Sequence, residues 1–482
     1  MSIVLCIALA CLPSLVIAGL GDGDPFNTAA SSAGSAGESV ARPLSPHACT
    51  DAAMPATVAP SVPGVPLALP DVVDRALCNN PQTREAWANA RYQAALAGQA
   101  RSAFLPSLNL NASSSRSHNQ GGVSRALSGD ASSNQTSATL SLTYLLFDFG
   151  GREAANESAR QVMLAANATQ DATLQSVFLA TVQAYFRRYA AQALVVATRE
   201  AERASLESFK AADARYQVGA ATPADKLQAQ TAASQATLTR IRSEGEAKTA
   251  EGTLVSAMGM DANQPVAIAP PPEAAPDARF ERNVDDLIAD AKHLRPDLAA
   301  GEAQVQAARA NIDSARASGL PSFSLFADHN YNRVSGVDST QGTTVGVSVS
   351  IPLFTGFNTT YRIRAAEAQL VAREAQRERL SQQVALDVWS AYYALQTSSQ
   401  TVRAAADLLA NAEQSSKVAL GRYNAGVGGI LDLLNAQSAL ASARQQNILA
   451  LYNWRIARVA LGQAIGQLDF SLLETSMEAT QK

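Results

Sequence analysis

The sequence predicts a mainly α-helical chain, built twice over, that also carries transmembrane β-structure. Three observations predict it. Landmarks in the first half recur in the second at constant spacing. Two proline-free runs of about 65 residues read as long helices. Four segments alternate apolar with small polar residues, the period of strands set between two different solvents.

The repeat comes first, because it organises everything else. Leu105-Pro106-Ser107-Leu108 recurs as Leu320-Pro321-Ser322-Phe323, and Asn80-Pro81 as Arg295-Pro296, both 215 residues on. Leu146-Phe147 recurs as Leu353-Phe354, and Ala184-Tyr185 as Ala391-Tyr392. Arg215-Tyr216 then Gly219 recurs as Arg422-Tyr423 then Gly426. Asp225, Leu227 and Ala229-Gln230 recur as Asp432, Leu434 and Ala436-Gln437, and Gly259 as Gly466. These later pairs all lie 207 apart. The spacing falls by eight (215 − 207) in one place, so copy one carries a loop eight residues longer there.

The elements follow in order. Residues 1–18 read as an export signal. Ile3 to Leu20 is almost wholly apolar and ends in Val16-Ile17-Ala18-Gly19, small residues suited to cleavage, although no basic residue precedes the run. The competing readings are a membrane anchor and a buried helix. Residues 19–66, rich in Ala, Ser, Gly and Pro, read as a flexible leader. Cys6 and Cys11 leave with the signal. Cys49 and Cys78 remain, either as a disulfide or as two thiols.

Copy one spans 67–260. Residues 71–103 are Ala-rich and helical, with Pro81 near the start, and Pro106 stops them. A strand pair, 107–146, follows. Leu108, Leu110 and Ala112 alternate with Asn109, Asn111 and Ser113. After a polar loop over 114–135, Ala138, Leu140, Leu142 and Tyr144 alternate with Ser137, Thr139, Ser141 and Thr143. A helix then runs from Gly150-Gly151 to about Gln217, a turn covers 219–223, and a second helix covers 224–258. A Pro-rich connector, 261–283, leads to copy two at 284–467. There the strand pair is 322–353. Phe323, Leu325 and Ala327 alternate with Ser322, Ser324 and Asp328, though Phe326 breaks the polar side, and Val345, Val347, Val349 and Ile351 alternate with Gly346, Ser348, Ser350 and Pro352. The long helix from Gly356 to about Asn424, the turn 426–429, the helix 430–465 and a tail, 468–482, complete the chain. At 1.5 Å per residue each long helix is a rod of roughly 100 Å, which needs a coiled-coil or bundle partner.

The strands have two readings, a soluble sandwich or a membrane barrel. The plain Ser, Thr, Gly and Asn side suits a water-filled lumen and the apolar side a bilayer, with Phe104, Tyr144, Phe147, Phe149, Phe354 and Phe357 placed as an interfacial belt. On the membrane reading Leu140, Leu142, Tyr144, Val345, Val347 and Val349 face lipid. Four strands cannot close a barrel, and open edges are not tolerated in hydrocarbon, so several chains must share one.

Composition narrows the classes. Lys+Arg 38 against Asp+Glu 42 gives a net charge of -4, without the basic field that nucleic-acid binding demands. Hydrophobic residues at 47% exclude wholesale disorder. His47, His118, His293 and His329 have no metal-ligand spacing, and His118 and His329 fall in the expected strand loops. No Walker loop, nucleophile elbow or dinucleotide fingerprint occurs, so no enzyme, cofactor or metal site is expected.

With these elements in place, the chain resembles the TolC-type outer-membrane ducts of efflux pumps and type I secretion systems. The resemblance rests on the duplication, on Leu-Pro-Ser-Leu and Leu-Pro-Ser-Phe entering strands, and on Leu146-Phe147-Asp148-Phe149-Gly150-Gly151 and Ile351-Pro352-Leu353-Phe354-Thr355-Gly356 leaving them. Arg-Tyr-x-x-Gly before each turn and Asp-x-Leu-x-Ala-Gln after it complete it. It covers about 67–467.

It implies a homotrimer whose chains share a 12-stranded β-barrel, continuous with a coiled-coil periplasmic tunnel. It also implies a periplasmic adaptor and an inner-membrane ABC or other transporter, docking at the turns marked by Arg215, Gly219, Arg422 and Gly426. Asp432 matches a pore-entrance acidic ring, and Asn435 stands, uncharged, where a second ring falls. Asp432 equally suits a first-turn helix acid. An entrance latch would involve Asp225. Its arginine mate aligns with Gly428, which leaves Tyr216 and Tyr423 as further latch candidates. The function implied is a passive outer-membrane exit duct, leaning to type I protein secretion over multidrug efflux. The alternative is a soluble periplasmic adaptor or scaffold without a pore.

Overall fold

The computed structural model describes residues 24–28, 66–119, 131–271 and 283–468. Over these the order is α1 (Leu69–Asn79), α2 (Pro81–Ser102), β1 (Ser107–Asn119), β2 (Ala131–Phe147), α3 (Gly151–Gln217) and α4 (Pro223–Ala257). The same six elements return as α5 (Val284–Leu294), α6 (Pro296–Ala317), β3 (Ser322–Val334), β4 (Thr340–Ser350), α7 (Asn358–Asn424) and α8 (Ile430–Ile465). The export signal, most of the leader, Cys49 and nearly all of the tail lie outside the described residues. Cys78 is disulfide-bonded.

The stretch expected as one helix over 71–103 is two. Asn80 takes an extended ψ of 130°, because the ring of Pro81 excludes the helical conformation from the residue before it. Arg295 does the same before Pro296, at ψ 124°.

The chain divides into two compact units that do not follow the two copies. One holds the described residues within 1–35, 90–166 and 301–377, and the other those within 36–89, 167–300 and 378–482.

The first unit contains the sheet, ordered β1-β2-β3-β4 and antiparallel throughout. Its register aligns apolar residues into rows on one face: Leu108–Leu142–Ala327–Val345 and Tyr144–Leu325–Val347. The other face carries Asn109–Ser141–Asp328–Thr344 and Asn111–Thr139–Asn330–Gly342. Phe326, which interrupts the polar side, has a reason. It pairs with Gly346, and its ring lies over that glycine, where an added Cβ would meet it at 2.8 Å.

The loop expected over 114–135 is much shorter. The ladder continues to Asn119↔Ala131, held by Ser113–Ser137 and Ser117–Ser133 hydroxyl pairs at 2.8 Å. Polar residues on both faces hide the period of two there. His118 lies in this extended β1 rather than in a loop, and His329 lies in β3, where its ring meets the Thr343 hydroxyl of β4 at 2.9 Å. β4 stops at Ser350, short of the expected 353, because Pro352 has no amide to donate.

Each strand pair turns sharply into its long helix. Phe149 and Gly150 have φ 53° and 87°, and Gly356 and Phe357 have 60° and 63°. Positive φ at phenylalanine is a strained conformation, and it brings Phe147 and Phe149 to 4.7 Å and Phe354 and Phe357 to 5.6 Å between ring centroids. In copy one Asp148 accepts from the Arg152 amide at 2.7 Å, while the Arg152 guanidinium donates to the Leu145 and Leu146 carbonyls and lies over Phe104. In copy two the matching residues are Thr355 and Thr359, whose hydroxyls meet at 3.3 Å.

The second unit packs two related cores. Val72, Val73 and Ala76 of α1 meet Val177, Phe178, Val182 and Tyr185 of α3, Leu254 of α4 and Met258, the residue that caps α4. Leu287 and Ala291 of α5 meet Val384 and Val388 of α7 and Trp454, Leu461 and Ile465 of α8. Val72 and Leu287 keep the 215 spacing (287 − 72), and Leu254 and Leu461 the 207 spacing (461 − 254). Each fully buried large side chain contributes about 1.5–3 kcal/mol. Gly259 and Gly466 end α4 and α8 at φ 73° and 84°. An added Cβ on Gly259 would lie 2.5 Å from the Asn79 carbonyl oxygen, and one on Gly466 3.1 Å from that of Leu294. The Tyr185 and Tyr189 hydroxyls donate to the Ala269 and Ile268 carbonyls at 2.8 Å, which pins the described start of the connector.

Candidate functional site at the helical turns

The turns between α3 and α4 and between α7 and α8 share one backbone device. The Gly219 amide donates to the Tyr216 carbonyl and the Ala220 amide to that of Arg215. Gly426 and Val427 repeat this with Tyr423 and Arg422. Both glycines sit near φ 75°, which is the Schellman stop of a helix. The Arg-Tyr-x-x-Gly motif is therefore a termination signal, its glycine supplying a left-handed residue that other types resist.

The four helices meet in a small core. Ala212, Ala229, Tyr423, Ile430 and Leu433 are buried together. Arg215 crosses between copies. Its guanidinium donates to the Tyr423 carbonyl at 2.6 Å and stacks 4.0 Å from the Tyr423 ring centroid. Gln437 exchanges hydrogen bonds with Ser208 at 2.9–3.2 Å, which accounts for the glutamine of the Asp-x-Leu-x-Ala-Gln motif in copy two.

The two acids that opened the motif differ. Asp225 closes a capping box on α4: its carboxylate accepts from the Thr222 amide at 2.9 Å and from the Thr222 hydroxyl at 2.8 Å, while its amide donates back to that hydroxyl. The Thr222 amide, then its hydroxyl, hold the Asp225 carboxyl below the usual range. Asp432 follows Gly429, a cap residue with no side chain to offer. It is exposed and has no hydrogen-bond or ion-pair partner among the described residues. Asn435, one turn on, is exposed as well.

The remaining candidates separate. Tyr216 is exposed, with the Lys226 ammonium 5.3 Å from its ring centroid and Lys226 paired to Asp213 at 2.7 Å. Tyr423 is 4% exposed, its ring and carbonyl both occupied by Arg215 within the chain. Gly428 packs tightly, since an added Cβ would come within 3.0–3.2 Å of Arg422 and the Tyr423 amide. The turn has little room for an arginine there without shifting. Arg422 is exposed. Sequence reasoning passed over Thr222, whose Thr-x-x-Asp spacing before a helix was visible. It also passed over the exposed Val218, Leu227, Val427 and Leu431 around the two turns. Among the described residues no group of His, Cys, Asp or Glu could hold a metal ion. No described helix is long and apolar enough to cross a membrane, which says nothing of a β-barrel.

Known proteins share this arrangement. The family profile described as outer membrane efflux protein matches residues 72–260 and 287–467, one segment per copy. The chain is 33% identical to Protein CyaE of Bordetella pertussis over 413 residues, 85% of this chain and 86% of that protein. It is 25% identical to the outer membrane protein TolC of Vibrio cholerae over 83% and 91% of the two chains. A crystal structure of a membrane protein from Pseudomonas aeruginosa superposes with TM-score 0.72 at 27% identity, covering 83% of this chain and 93% of that one.

Proposed function

The chain belongs to the outer membrane efflux protein family, and from that premise we propose that three copies build one duct, each lending a four-stranded sheet to a shared barrel of twelve strands (3 × 4). The protein is an outer-membrane export duct with a periplasmic helical extension. One observation carries the trimer. The outward rows are apolar yet exposed in the single chain, with Leu110 70% and Val345 62% accessible, and β1 and β4 each leave an unpaired edge. Lipid covers such rows, and neighbouring copies close such edges. Leu140, Leu142, Tyr144, Val345, Val347 and Val349 contact lipid in this arrangement.

The duct is passive, and energy comes from partners. A periplasmic adaptor and an inner-membrane transporter engage the turns, where Val218, Val427, Leu227 and Leu431 supply exposed apolar contacts beside Arg422. Asp432 lines the entrance. Three such carboxylates in a narrow opening attract cations and repel one another. Asp225 is occupied as a cap, and Tyr423 and Arg215 tie the two turns of one chain together; closure between chains falls to groups such as Tyr216. Among cargoes we favour protein delivered by a type I transporter over small drugs.

Membrane fractionation and the mass of the detergent-extracted complex test the trimer. Three chains in the outer membrane are expected, and a water-soluble monomer contradicts the assignment. For Asp432→Ala, reversal potentials across a salt gradient should shift toward zero cation preference. Unchanged selectivity removes Asp432 from the pore.

A further inference from the structure

The outward face of the sheet does not end where its apolar rows end. Moving away from the helices, the rows run Tyr144–Leu325–Val347, Leu108–Leu142–Ala327–Val345, Leu110–Leu140–His329–Thr343 and Ala112–Ala138–Tyr331–Gln341. The next two outward rows are Ser114–Thr136–Arg333 and Arg116–Asn134. Both arginines are exposed at the rim, and neither guanidinium makes a hydrogen bond or ion pair among the described residues. No Asp or Glu stands on the outward face of any of the four strands. The one strand carboxylate, Asp328, lies on the opposite, polar face. Cation and acid are thus segregated across the sheet, which an evenly hydrated surface does not require.

Height decides what the arginines meet. Arg333 is ten residues along β3 from Phe323, the first apolar residue on its outward face. At about 3.3 Å per residue and a tilt of about 40°, that is a rise of about 25 Å, the height of the apolar band of an outer-membrane barrel. Tyr331 sits just below, at the level of an aromatic girdle. Arg333 therefore emerges at headgroup depth. Arg116 lies two strands away, about 10 Å across the sheet. A guanidinium presents paired donors that match phosphate oxygens, and its apolar stem can lie along the top of the hydrocarbon.

We propose that Arg116 and Arg333 form an outward-facing collar, at the end of the barrel away from the helices, that binds phosphate-bearing anionic headgroups of the outer-leaflet lipid. The proposal rests on the barrel reading above. Three chains supply six guanidiniums, spaced around the rim so that each sheet holds headgroups on its own surface. The collar fixes the depth of the barrel in the bilayer and selects the lipid that surrounds it.

The test uses the full-length trimer and an Arg116→Gln/Arg333→Gln double variant in phosphatidylcholine vesicles with and without diphosphoryl lipid A. Insertion into the zwitterionic vesicles is read first; both proteins should insert alike, and failure of the wild type to insert overturns the barrel and this site with it. Lipid A retained by the extracted trimer is then measured by mass spectrometry. Affinity should fall about 5-fold for each arginine removed, following the attraction of one basic side chain to an anionic surface. An Arg116→Lys/Arg333→Lys variant should recover part of the loss. Equal retention by wild type and the glutamine variant overturns the collar while leaving the barrel intact. Displacement of the lipid by inorganic phosphate would identify a soluble-anion site and overturn the lipid assignment.

Discussion

The two helical turns share a backbone and differ in chemistry. Each ends its long helix on a Schellman glycine near φ 75°, with the same pair of amide-to-carbonyl bonds. In copy one Thr222 and Asp225 then lock the next helix with a reciprocal cap. In copy two Gly429 offers nothing, and Asp432 is left exposed and without a partner among the described residues. The strand-to-helix corners differ in the same way: an Asp148–Arg152 staple in one copy, a Thr355–Thr359 hydroxyl pair in the other. Duplication preserved the geometry that closes a fold, while its charges were assigned separately. One acid caps a helix, and the matching acid is left without that task.

The strongest way to break this comparison is at the paired stops Gly259 and Gly466. Alanine at either meets positive φ, but only at Gly259 does the new Cβ collide with backbone, at 2.5 Å against 3.1 Å. Thermal unfolding should show Gly259→Ala losing about 3–5 kcal/mol and Gly466→Ala about 1–2. Equal losses would mean that the two copies pack alike here.

Next come the two faces of β2. Leu142→Arg should cost about 2–4 kcal/mol of membrane stability, while Ser141→Arg, one residue away on the polar face, should cost less than about 1. Trimer yield from membranes reads the difference. Normal yield from Leu142→Arg shows that this face does not meet lipid.

A third contrast lies within the long helices. Burial pushes the Asp171 carboxyl up to about 6, whereas Glu378, at the matching place in α7 (171 + 207), is exposed. A carboxyl with a raised folded pKa binds its proton more tightly in the native state, so stability falls as pH rises from about 4 to about 6. Asp171→Asn should therefore stabilise the chain at neutral pH by about 2 kcal/mol and do little at pH 4. Glu378→Gln should be neutral at both. Melting curves at the two pH values decide it.

The smallest effects sharpen the turns themselves. Thr222→Ala should cost about 1 kcal/mol, and Gly429→Thr should gain a few tenths by giving Asp432 a cap of its own. Because the Asp225 carboxyl is held below its usual range, its share of the stability is present above the ordinary carboxylate pKa and fades as pH falls through the lowered one.

Much of this architecture can be read in the residues, and the failures share a cause. Pro106, Pro321 and the paired glycines mark their breaks through backbone chemistry that needs no context. The split at Pro81 is hidden because Ala-rich flanks on both sides look like one helix. The outer half of the β1–β2 ladder is hidden because residues 113–119 and 132–137 are polar on both faces, so no period shows. Arg215 is placed by its motif at a docking turn, yet it reaches the Tyr423 carbonyl 208 residues away, a contact that no local pattern announces. The freedom of Asp432 is a matter of what surrounds it, and only three dimensions reveal that. Thr222 is within reach, since a Thr-Pro-x-Asp opening is a helix start in its own right.

Single-channel recording of the detergent-extracted protein in planar bilayers tests the central claim most directly. Discrete conductance steps carried by three-chain complexes, with cation preference that weakens in Asp432→Ala, are the predicted result. A monodisperse single chain that stays soluble without detergent and leaves the bilayer silent would contradict it.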